Sequence, residues 1–313
     1  MRHFSGSSIT DVFRDIIASL ISSGLDIAPR GLPTLEFMPA CITLTDPRRR
    51  VIVSPSRKIN PAFAIAETIW ILSGTDDAWI YDYNRRLRRY ADDGILAGAY
   101  GPRLRRWQGI TDQLRYARDT LLRDRNSRQA VIQIYDPGVV RSTHRDVPCT
   151  IGYRFFIRGG RLSMITTMRS QDVWLGLPYD IFANTVLLEL LAGWVGAEVG
   201  HYHHMVDSLH LYRSDIPRAL AVIDETALTS PPCNPISIAW DDFEASLLML
   251  VHERRTENQA LAEFCSVLTV HKTWTEGHAE AARAQAETLG GALGLATRYW
   301  LEGKHGLAKT GRG

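Results

Sequence analysis

A chain of 313 residues with 45% apolar side chains is long enough to bury a sizeable core in one large domain. Its 36 lysines and arginines nearly balance 34 aspartates and glutamates, a net charge of +2 that does not point to a nucleic-acid-binding surface. The four cysteines, Cys41, Cys149, Cys233 and Cys265, are widely spaced with no C-x-x-C pair, which argues against a zinc cage or a disulfide framework.

The N-terminus shows no charged segment followed by an apolar run and a cleavage site. The first amphipathic helix is predicted from Ile9, Val12, Phe13, Ile16, Ile17 and Leu20, which recur at helical spacing. Residues 35–44 and 50–54 read as strands around the turn Asp46-Pro47. The run Arg48-Arg49-Arg50, like Arg85-Arg86-Leu87-Arg88-Arg89, reads as a solvated face, with a polyanion-binding cluster as the sharper alternative. Pro61 opens a helix carrying Glu67, Trp70 and Leu72, and Gly74 ends it. Thr111 is placed to cap the helix through Leu114 and Leu121. Residues 130–135 are strand-like by their β-branched and aromatic content. Residues 150–157 and 162–167 flank Arg158-Gly159-Gly160 as a hairpin.

The helix after Asp180 is apolar on nearly every face and should be the central core helix. Its stretch 185–195 is interrupted by Glu189 and is too short to span a bilayer. A cytoplasmic protein with no membrane contact is expected. His201-Tyr202-His203-His204 reads as a strand with outward side chains rather than a metal site, because no carboxylate or cysteine completes a ligand set. An Ala-rich helical pattern closes the chain. Residues 1–300 read as one catalytic domain, and 301–313 as a disordered Gly/Lys-rich tail.

The chemistry concentrates around Cys149 in Val147-Pro148-Cys149-Thr150. Twenty residues on comes Arg169-Ser170-Gln171-Asp172-Val173-Trp174-Leu175-Gly176-Leu177-Pro178-Tyr179-Asp180, and then His210-Leu211-Tyr212. A soft thiol nucleophile, an anion-binding Arg-Ser pair, two carboxylates and a His/Tyr pair are parts of a nucleotide site built for covalent catalysis. In this order and spacing, residues 127–212 resemble the thymidylate synthase superfamily, with weaker matches back to Glu67 and Arg30. The resemblance implies an α/β fold of the α+β type: two layers, with a large mixed β-sheet that forms the interface of a homodimer.

It also implies roles. Cys149 is the nucleophile, Glu67 organises water and proton transfer, and Tyr100 lies near the base. Arg30, Arg169 and Ser170 bind the 5′-phosphate, and Arg128 reaches it from the partner subunit. His210 and Tyr212 hold the sugar hydroxyl, while Asp172 and Gly176 meet the folate, 5,10-methylenetetrahydrofolate, with no metal. Thiolate addition at carbon 6 makes carbon 5 of a pyrimidine nucleotide nucleophilic enough to take up one carbon. Nearby arginines are expected to lower the thiol pKa. Arginine suits the phosphate by its planar, permanent charge.

Several positions depart from the family pattern. The resemblance places an Asn where this chain has Asp180. An amide donates to a uracil carbonyl and accepts from its N–H, whereas a carboxyl group accepts from a cytosine amino group and shares a proton with the ring nitrogen. Asp180 therefore points to CMP or dCMP, as in cytidylate hydroxymethylases. The bland alternative is an Asp capping the following helix. A shielding Trp falls at Leu87, and the ending Lys309-Thr310-Gly311-Arg312-Gly313 cannot form the apolar lid of a synthase. Water would then trap the transferred carbon as hydroxymethyl. Thr150 stands for the usual His after the nucleophile, and Gln129 for a second interchain Arg. An Arg- and Ala-rich composition suits a high-GC bacterium and a role in modified-nucleoside, including nucleoside antibiotic, biosynthesis. The competing readings are methylation of dUMP and a non-catalytic nucleotide-binding relative.

Overall fold

The computed structural model describes residues 1–139, 143–226, 230–253 and 255–309. The chain begins with β1 (Arg2–Gly6) and α1 (Ile9–Ser23), followed by β2 (Leu25–Ile27), β3 (Thr34–Phe37) and β4 (Ala40–Leu44). Next come α2 (Pro61–Leu72), α3 (Tyr100–Arg105), α4 (Gln113–Arg123) and β5 (Val131–Gln133). The central run is β6 (Thr150–Arg158), β7 (Arg161–Met168), β8 (Gln171–Asp172), α5 (Leu177–Trp194), β9 (Glu198–Val206) and β10 (Leu209–Tyr212). Helices α6 (Ile216–Ile223), α7 (Phe243–Glu253), α8 (Ala262–Thr275), α9 (Ala279–Glu287) and α10 (Gly291–Lys309) follow.

Six strands form a mixed sheet in the order β1-β4-β9-β7-β6-β5, and four form a smaller one, β2-β3-β10-β8. This is the α/β class with a large mixed sheet that the sequence led us to expect. The hairpin β6–β7 turns through Gly159 and Gly160, whose φ values of 55° and 76° suit residues without a Cβ. Helix α1 buries Ile9, Val12, Phe13, Ile16, Ile17 and Leu20, and Ser8 caps it by accepting from the Thr10 N–H at 3.1 Å. Asn60 caps α2 in the same way, with Pro61 in its first turn, and Gly74 follows at φ 77°. Helix α5 is buried along nearly its whole length, as its apolar composition requires. Among the described residues, no helix is long and apolar enough to cross a membrane.

Four expectations are corrected. Residues 50–54 are fully buried but pair with no strand. Side chains satisfy their backbone instead: Thr10 Oγ1 accepts from the Val53 N–H, and Ser230 Oγ donates to the Val51 carbonyl at 3.0 Å. Arg50 is not solvated but buried, in an ion pair with Glu189 of α5. Helix α4 is capped by Asp112, which accepts from the Arg115 N–H at 3.0 Å, because Thr111 is still held in a bridge to Trp107. The disordered tail expected from residue 301 is corrected for 301–309, which continue α10; residues 310–313 lie outside the described residues.

Candidate active site

Strand pairing assembles the site. Thr150 of β6 is in register with Met168 of β7, so the residues just outside that pair, Cys149 and Arg169, lie side by side. The Arg169 N–H donates to the Cys149 carbonyl at 2.9 Å. The Arg169 guanidinium donates to the carbonyls of Pro148 and Val147, both at 2.9 Å, and lies 3.7 Å from the Cys149 sulfur. One cation thus braces the nucleophile's loop and faces its thiol. Tyr100, at the start of α3, accepts from the Thr150 N–H at 3.3 Å, which brings its phenol beside Cys149.

The carboxylates come from two helices. Asp180 lies inside the first turn of α5, its own N–H bonded to the Gly176 carbonyl at 3.0 Å. It is therefore not a helix cap, and its carboxyl instead accepts from Gln171 Nε2 at 2.8 Å. Burial pushes Asp180 up to about 6, with Gln171 opposing that shift. Glu67, on the face of α2 toward α5, is pushed up to about 8 by burial and then by the charge of Asp180. Burial also raises the Tyr100 hydroxyl.

The thiol does not follow expectation. Burial raises the Cys149 pKa, Arg169 and Arg30 pull it down, and Asp180 and Asp146 push it up; the net shift is upward. The arginines expected to activate the thiol are present but are outweighed by desolvation.

The smaller sheet supplies the far side. His210 of β10 is in register with Asp172 of β8, and the rings of His210 and Tyr212 meet edge to face at 5.3 Å. Asp172 Oδ1 accepts from the N–H groups of Trp174 and Leu175 at 2.7 and 3.0 Å. Gly176 sits against the Gln171–Asp180 bond, where an added Cβ would lie 2.8 Å from Gln171 Nε2. Ser170 is half-buried beside Arg169. Arg30 is exposed in a short turn with φ 55°, close enough for its charge to reach Cys149. Arg128 is exposed just before β5, and among the described residues no side-chain hydrogen bond or ion pair ties it to this chain's site.

A family profile described as thymidylate synthase matches residues 12–252. The chain belongs to the thymidylate synthase family. Two similar proteins are named deoxyuridylate hydroxymethyltransferase. That of Bacillus phage SP01 is 36% identical over 229 residues, covering 69% of this chain and 60% of its own. That of Delftia phage PhiW-14 is 33% identical over 186 residues, covering 55% and 51%. The chain thus spans about three-fifths and half the length of these relatives.

Family membership directs attention to the pterin of a folate, and the site has groups suited to it. Asp172 keeps Oδ2 without a hydrogen-bond partner among the described residues. Among the described residues, no three His, Cys, Asp or Glu side chains converge as a metal site.

Sequence reading missed one part of the site. Tyr202 and His204 of β9 point inward and are fully buried, contrary to the outward strand expected. The two-residue period of a strand was the available signal, since it must bury alternate side chains of a core strand. Gln171, inside the motif, was passed over. These residues form a chain: Gln171 Oε1 to His204 Nε2 at 2.8 Å, and His204 Nδ1 to the Tyr202 hydroxyl at 2.7 Å.

Proposed function

We propose that this chain transfers a hydroxymethyl group, from methylenetetrahydrofolate and water, to carbon 5 of CMP or dCMP, acting as a homodimer. The observation that carries the base assignment is Asp180. It shares one buried space with Cys149, Glu67 and Tyr100, and its carboxyl is held as an acceptor by Gln171. An acceptor oxygen suits the exocyclic amino group of cytosine, and a carboxyl pushed up to about 6 can share a proton with the ring nitrogen near neutral pH. The names of the two relatives favour hydroxymethyl over methyl transfer.

The folate supplies the one-carbon unit. In this reading the Cys149 thiolate adds to carbon 6, the pair of the carbon 5–carbon 6 double bond moves onto carbon 5, and carbon 5 forms the new carbon–carbon bond. Tyr100 or a water on Glu67 takes the carbon 5 proton. Loss of that proton expels tetrahydrofolate from the new carbon; water then adds there, and the carbon 5–carbon 6 double bond re-forms as the thiolate leaves. Arg169, Ser170 and Arg30 hold the 5′-phosphate, with Arg128 of the partner, and His210 and Tyr212 hold the sugar. Asp172 and Gly176 meet the pterin.

The relatives' names favour a second reading, in which deoxyuridylate is the substrate. One assay separates them: offer CMP, dCMP, UMP and dUMP with the folate, and weigh the products. Cytosine nucleotides should gain a hydroxymethyl group, without dihydrofolate. Cys149→Ser should abolish turnover and keep nucleotide binding. Asp180→Asn should move the cytosine-to-uracil preference roughly ten- to a hundredfold toward uracil, the cost of a mispaired buried polar contact. Unchanged preference in that variant refutes the base assignment.

A further inference from the structure

Asp180 is the end of a buried hydrogen-bond chain with a defined direction. An ionised carboxylate only accepts, so the Gln171 amide must turn its nitrogen toward Asp180 Oδ2. Its oxygen then faces His204, 2.8 Å away, which must carry its proton on Nε2. His204 Nδ1 is left bare and accepts from the Tyr202 hydroxyl at 2.7 Å. The Tyr202 oxygen accepts from Asn184 Nδ2 and is paired with the Thr166 hydroxyl, each at 3.0 Å. Every member is satisfied, and burial drives His204 down to about 3, so it stays neutral. The groups facing Asp180 are Glu67, Asp172, Cys149, Tyr100, Tyr153 and Tyr202, none of them cationic.

This direction bears on the choice of base. A neutral carboxyl can serve uracil as well as cytosine by moving its proton between its two oxygens. A donor fixed on Oδ2 breaks that symmetry: Oδ2 remains an acceptor, and any proton resides on Oδ1. We propose that Gln171, oriented by His204 and Tyr202, is a specificity-determining positioning residue that keeps Asp180 in the form that reads a cytosine base. This rests on Asp180 facing the base. It assigns a task to three residues that do not themselves react.

The test compares wild type with Gln171→Leu, His204→Phe and the milder Tyr202→Phe, each checked for folding by circular dichroism. Two quantities are read: the cytosine-to-uracil ratio of kcat/KM, and the titration of the Asp180 carboxyl in free enzyme by infrared difference against Asp180→Asn. The ratio should fall about tenfold in the first two variants and less in the third. The carboxyl should titrate at higher pH in all three, because a donor that favoured its ionised form is lost or loosened. The KM for the folate should not change. Ratio and titration both unmoved in Gln171→Leu and Tyr202→Phe overturn the proposal. A wild-type enzyme that prefers uracil overturns the cytosine reading alone; the infrared shift in free enzyme still decides whether the chain controls Asp180.

Discussion

Cys149 illustrates how one residue's reactivity is set by opposing neighbours. Its sulfur lies 3.7 Å from the Arg169 guanidinium, yet the thiol pKa is raised, because burial and the carboxylates of Asp180 and Asp146 outweigh Arg169 and Arg30. Only the thiolate alkylates, so labelling of Cys149 by iodoacetamide should rise with pH and reach half its limit above the ordinary thiol range. Arg169→Ala should push that midpoint higher still, since the largest lowering influence is removed. A midpoint below the ordinary range, measured by mass spectrometry of the Cys149 peptide, would mean that the cations dominate. Gly176 carries a different constraint: at φ −86° its backbone suits any residue, and the demand for glycine comes from Gln171 Nε2, 2.8 Å from where a Cβ would sit. That demand is invisible in sequence, because it depends on a contact made only after α5 folds back on β8.

Helix α5 links the site to the core. Its first turn carries Asp180, and about two and a half turns on, Glu189 pairs with Arg50 and accepts from the Ile236 N–H at 3.1 Å. Glu189 therefore ties the helix to both the unpaired buried segment 50–54 and the loop before α7. Glu189→Ala should destabilise the protein by about 3–5 kcal/mol, because it strands a buried guanidinium. Replacing both partners by apolar residues of similar volume should restore much of that loss, as read from urea unfolding. The same pair shows what was legible. Elements with local signals were predictable: the helical spacing of α1, the Pro61 start of α2 and the double glycine of β6–β7 each act within a few residues. Arg50 was misread because its partner lies 139 residues away and a run of three arginines looks solvated. Segment 50–54 looked like a strand because its side chains are β-branched and buried, but burial alone does not supply a pairing partner. In the site, the residue types of the motif were legible, whereas the Gln171–His204–Tyr202 chain depends on which face of β9 turns inward.

At the scale of the whole molecule, the larger sheet has one face against the helices and one that, among the described residues, has no partner in this chain. Inward residues such as Met164, Thr166, Tyr202 and His204 are buried, while Phe156, Ile165, His203 and Met205, alternating with them, stay only partly covered. The cross-strand row Val131–Arg154–Ile165–His203–Thr43 runs across this second face. We propose that a second copy covers it, in keeping with the dimer implied by the family resemblance. Arg128 lies three residues before the first residue of the edge strand β5 at one end of that row, a position from which its side chain can cross to the neighbouring subunit's phosphate site. The proposal predicts complementation. Arg128→Ala should raise the nucleotide KM about tenfold in a protein that still dimerises, the loss of one charge-assisted phosphate contact. Mixed with Cys149→Ser, it should regain activity, because in a hybrid one site combines the intact Cys149 of one subunit with the intact Arg128 of the other. Recovery should reach at most about a quarter of wild-type activity in an equal mixture: half the dimers are hybrids, and each has one intact site. Mixed dimers verified by mass that show no recovery would mean that Arg128 serves its own subunit, and the sheet face would then need another explanation.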